Sequence, residues 1–142
     1  MATVSQDIRG AIQLRAATAT GFPAAGQRAY EGLIFRPTVG TAWAQITVVP
    51  SSIRPFDVAA ARRTHKGVAI ISVHIPNNGG AGTGLAEAAG DNVRAVFPPG
   101  LRLFQGAERV DIDFSERRQA IIEPDWISCP VEIAWTAHST RA

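Results

Sequence analysis

The chain has 142 residues, enough for one domain with its own core, and a composition 46% apolar and 18% charged, which excludes a disordered chain. A net charge of +2 is too balanced for a dedicated nucleic-acid binder, although the pI is near 9.3. No apolar run approaches the roughly 20 residues that span a bilayer, the N-terminus lacks the basic and apolar pattern of a secretory signal, and the single Cys129 excludes an intrachain disulfide.

The first expected element is a helix over residues 3–17. Thr3 can cap it, with Gln6 closing a capping box, and Val4, Ile8, Ala11 and Ile12 share one face. Gly21 and Pro23 end it. A strand follows at 30–36, stopped by Pro37, and after a turn at 38–41 a second strand covers 43–49. In that strand Ala44, Ile46 and Val48 face one way, Gln45 and Thr47 the other. Residues 51–65 show no clear period and read as a long loop, made basic by Arg54, Arg62, Arg63 and the adjoining Lys66. Loops of that length in compact domains commonly carry function.

Residues 66–76 return to strand, with Ala69, Ile71, Val73 and Ile75 on one face and Ser72 and His74 on the other. A Gly-rich turn at 77–82 leads to a second helix, capped by Thr83 and running to residue 97, with Leu85, Ala89, Val93 and Val96 as its inner stripe. Pro98 and Pro99 stop it. Three strands complete the chain, at 101–104, 108–114 and 127–137. In the middle one Val110, Ile112 and Phe114 point inward, and Arg109, Asp111 and Asp113 outward. The last places Ile127, Cys129, Val131, Ile133 and Trp135 on one face, and Pro130 marks it as an edge strand or the site of a bulge. The order α-β-β-β-α-β-β-β predicts a single α+β domain over 1–142, a mostly antiparallel β-sheet with two α-helices packed on one face.

Little in this pattern points to catalysis. The run Gly79-Gly80-Ala81-Gly82-Thr83-Gly84 lacks a P-loop lysine and the dinucleotide spacing. His65, His74 and His138 are scattered, and Cys129 has the parity of a core residue. Asp111 and Asp113 are the one carboxylate pair that suits acid–base work, in a small hydrolase together with a His, but alternating polar residues also suit a solvated strand. No catalytic residue, cofactor or metal is expected. Trp43 and Trp126 stand at strand starts, where core and interface are both open.

The run Ala29-Tyr30-Glu31-Gly32-Leu33-Ile34-Phe35-Arg36-Pro37, followed by Gly40-Thr41-Ala42-Trp43, resembles the opening of the phage tail terminator and tail-completion family. The resemblance continues through Lys66-Gly67, Val73-His74-Ile75-Pro76 and residues 86–97 to Trp126, Pro130-Val131-Glu132-Ile133 and Trp135. It implies a virion structural protein at the head-proximal end of the tail, assembled in the host cytoplasm. It further implies a homo-oligomer, a hexameric ring that caps the tail tube protein, stops its polymerisation and joins the head-completion or neck protein. DNA would pass through the lumen without sequence-specific binding, and no membrane would be involved. Another ring of the neck or tail, a stopper or tube subunit, is the alternative in the same class.

Each contact in a ring joins two different surfaces. The segregation of charge therefore suggests that Arg54, Arg62, Arg63 and Lys66 of one copy meet Asp111 and Asp113 of the next.

Overall fold

The computed structural model describes residues 3–55, 63–77, 82–106 and 108–139, with backbone alone for 52–55. Helix α1 spans Val4–Ala16 and starts as the sequence indicates: the Thr3 hydroxyl accepts from the Gln6 amide, and the Gln6 side chain accepts from the Thr3 amide. Val4, Ile8, Ala11, Ile12 and Ala16 are its buried stripe. A 3-10 turn, Ala25–Gln27, leads into β1 (Arg28–Tyr30), which runs parallel to β2 (Trp43–Pro55). β2 turns back antiparallel into β3 (Arg63–Pro76). Helix α2 (Gly84–Ala95) is followed by β4 (Arg102–Gln105), β5 (Glu108–Arg117), β6 (Ile121–Ile122), β7 (Trp126–Ser128) and β8 (Val131–Ser139).

The strands form one sheet ordered β1-β2-β3-β8-β5-β4. β7 continues the line of β8 along β3 and carries β6 on its other side. All pairings except β1 with β2 are antiparallel, as expected for an α+β domain of this kind. Alternation puts Ala44, Ile46, Val48, Ala69, Ile71, Val73, Val110, Ile112, Val131, Ile133, Trp135 and Ala137 on one face, beneath both helices. Burying one Ile or Val of this set stabilises the fold by about 1.5–3 kcal/mol.

Several expectations are corrected. The strand foreseen at 30–36 ends at Tyr30, because Gly32 takes a positive φ of 76° and turns the chain away. The Glu31 carboxylate then accepts from the Val48 amide at 2.5 Å, filling the β2 position that a continuing strand would have paired. The loop foreseen at 51–65 is largely hairpin: Ser52 to Pro55 pair with Lys66 to Arg63, past a bulge at Ser51 whose hydroxyl bonds the Lys66 carbonyl. The remainder of that loop, 56–62, lies outside the described residues.

In α2 the buried positions are Ala86, Gly90 and Val93, while Leu85 is exposed. Thr83 is the N-cap residue, but its hydroxyl bonds Glu87 and caps no amide. Phe114 faces outward, because a bulge at Asp113 shifts the parity of β5 and gives the inner position to Ser115. Pro130 interrupts the ladder between β7 and β8 without shifting its register, in the sheet interior and not at an edge.

Candidate assembly surface

Both helices cover the same face of the sheet, so the opposite face carries the outward side chains in register. At the hairpin end Phe104, Arg109, His138 and Thr64 form one row across β4, β5, β8 and β3, and Arg102, Asp111, Thr136 and Lys66 form the next. Then comes an apolar row, Phe114, Ala134, Val68 and Val49, and beyond it Glu116, Glu132, Ile70 and Thr47. Phe104 is 73% exposed and Phe114 51%. The face is thus basic toward the hairpin, apolar at the middle and acidic beyond.

The sequence-derived interface residues divide over this geometry. Lys66, Asp111 and Asp113 all lie on the open face, with Lys66 and Asp111 separated by Thr136 of the intervening strand. Asp111 is engaged within its own chain, 3.2 Å from Arg109 and 3.7 Å from His138. Asp113 accepts from the Thr136 hydroxyl at 2.7 Å. Arg63 opens β3 opposite Ser139 and has the parity of the covered face. Arg54 stands opposite Thr64 by its backbone, and Arg62 lies outside the described residues. At the acidic end Arg118 pairs with both Glu132 and Glu116, and these carboxylates hold its guanidinium above its ordinary pKa.

The other end of the sheet shows features that the sequence reading missed. Residues 31–42 are turns, bends and irregular chain and expose Leu33, Ile34 and Val39, Ile34 at 95%. Phe35 fastens this segment to an aromatic cluster: its ring lies 5.3 Å from Trp43. Trp43 stacks on His74 at 3.9 Å and meets Trp126 edge-on at 6.1 Å. Burial lowers the pKa of His74, against an opposing pull from Glu123. Trp43 and Trp126 thus belong to an anchor beneath an exposed apolar segment. The two tryptophans at strand starts were the signal available in the sequence.

Two surface indentations are formed among the described residues. One indentation is lined by Asp91, Arg94, Ala95, Pro98, Pro99 and Ser115. A second, of about 100 Å³ between α1 and the sheet, is lined by Ser5, Ile8, Arg9, Val48, Pro50, His65 and Trp135. Asp111 and Asp113 line neither; they stand on an open sheet face. Among the described residues no three His, Cys, Asp or Glu side chains converge to hold a metal, and no helix is long and apolar enough to cross a membrane.

Comparison with known proteins adds three findings. A family profile described as phage tail terminator protein matches residues 7–135. Nine chains of solved structures match; one superposes with a TM-score of 0.73 at 21% identity, covering 96% of each chain, which speaks to the fold alone. No curated protein matches.

Proposed function

The chain belongs to the phage tail terminator family, a family of tail structural proteins, and on that premise we propose that it forms the ring that caps the tail tube. In this reading six copies close on the last ring of tube subunits and stop further polymerisation. The opposite side of the ring receives the head-completion or neck protein, and DNA passes through the lumen without sequence-specific contacts. The protein acts at the head-proximal end of the tail, without catalysis or cofactor. The match over residues 7–135 carries the reading.

The geometry supports it. A cyclic ring needs two different, complementary surfaces on each copy. The sheet offers them: one flank is β1, its following segment and the outer edge of β2, and the other is β4 and β6. Among the described residues Arg54 lies on β2, at the first flank, with Arg63 and Lys66 on the adjoining β3, while Asp111 and Asp113 lie on β5, next to β4 of the second. We place these charges opposite one another between neighbouring copies, where they add register and speed of encounter more than affinity.

The test is the mass of the purified protein in solution together with negative-stain images. Discrete rings are expected. Long tubes formed by this protein alone would make it a tube subunit, and a monomer that ignores tail tubes would remove the ring reading.

A further inference from the structure

Residues 30–36 have the sequence pattern of a strand, and 34–38 form neither helix nor turn, yet among the described residues 31–42 pair with no strand of their own sheet. The local cause is Glu31, which occupies the Val48 amide, and Gly32, which turns the backbone outward. Beyond Gly32 the chain is irregular, with Leu33 and Ile34 exposed, and is held near the molecule by Phe35 on Trp43. Exposed apolar groups clustered in this way mark an interaction site.

The opposite flank of the same end carries a matching feature. β6 pairs with β7 on one side, and among the described residues no strand pairs with its other side. Ile121 is 48% exposed and Ile122 66%. Glu123 and Asp125, both exposed, come directly after it. At this end the strand order is β1-β2-β3-β7-β6, so the segment after β1 and the edge of β6 are the two flanks of one sheet. Four strand spacings of ~4.8 Å separate β1 from β6 along the sheet.

We propose that residues 33–36 of one copy add as a strand to the open edge of β6 in the next copy, placing Leu33 and Ile34 against Ile121 and Ile122, and Arg36 against Glu123 and Asp125. This rests on the ring reading and names the contact that would close the ring. Successive strand residues point to opposite faces, so Leu33 and Ile34 supply one apolar contact to each face, and Ile121 and Ile122 do the same. Main-chain bonds to the free β6 edge supply affinity, and the exposed Arg36 beside the two carboxylates sets register. Donor and acceptor differ, as a ring contact requires. The contact runs from the β1 flank to the β6 flank, the same sense as the hairpin charges facing Asp111 and Asp113.

Three comparisons test it, each read against the wild-type protein with and without tail tubes. Oxidising a mixture of the Ile34→Cys and Ile122→Cys proteins should give a mixed disulfide well above the homodimers; the native Cys129 is 1% exposed and does not compete. Ile34→Asp and Ile122→Asp should each weaken association at least tenfold (about 1.4 kcal/mol per tenfold) while circular dichroism stays that of the wild type, since both side chains are exposed in the single copy. Arg36→Glu should weaken association, and Arg36→Glu with Glu123→Arg should restore it. Wild-type rings from both Asp variants, with no mixed disulfide, would overturn this contact and leave the ring reading standing. A wild-type protein that stays monomeric and ignores tubes would overturn both.

Discussion

Gly67 lies mid-strand in β3, opposite Trp135, and a Cβ there would fall inside contact distance of the Val49 carbonyl oxygen and the Trp135 ring. Trp135, 1% exposed, thus packs over a gap that only glycine leaves. Gly67→Ala is expected to cost about 1–3 kcal/mol, the usual penalty of overpacking, read as a lower urea midpoint at unchanged slope. The buried histidines make a second prediction. Burial lowers the pKa of His65, with Glu108 opposing and Arg63 adding to the shift, and burial likewise lowers that of His74, with Glu123 opposing. The unfolded chain therefore binds protons first, so stability is complete above the ordinary value of 6.5 and declines as pH falls below it. Urea unfolding at about pH 8 and about pH 5.5 should show that drop, and His65→Gln with His74→Gln should shrink it. At this scale the sequence revealed the Thr3–Gln6 box and the inward rows of β2, β3 and β8. It misplaced Leu85 and Phe114, because a single residue's orientation depends on where a helix meets the sheet or where a bulge falls.

Elements were legible where periodicity was unbroken. α1 came within a residue of its ends because its cap and its stripe agree. Thr3→Ala should remove that cap and lower stability by about 1 kcal/mol, measured by chemical unfolding. The β2–β3 hairpin was hidden because Pro50, the Ser51 bulge and Pro55 break its alternation. β1 pairs with β2 only from Ala44 to Ile46, so the prolines fall where β2 is an edge strand and a missing amide donor is tolerated. The reverse error occurred at 30–36, where the good strand residues after Tyr30 pair with no strand among the described residues. That mismatch between local preference and the single copy underlies the proposed strand exchange with β6, since local conflicts of this kind concentrate at functional sites. β6 itself, two residues long, is too short for any pattern to announce.

Over the whole molecule, composition showed a folded chain of low net charge and no catalytic signature, and the family resemblance supplied the role. The candidate surface was legible only in part, because residues meet across strands by register, which one-dimensional spacing does not contain. Lys66 and Asp111, 45 positions apart, share a face by way of Thr136. The charge arrangement makes its own prediction: Arg62→Glu with Arg63→Glu should impair ring formation by native mass, and unchanged rings would remove that part of the interface.

The central claim is that the ring ends tube growth, and it is tested most directly by adding the purified protein to tube subunits as they polymerise and imaging the products. The account predicts short tubes, each with a ring at one end and none along its length, and a mean length that falls as more protein is added. Tubes of undiminished length with bare ends, or protein incorporated throughout their walls, would contradict it.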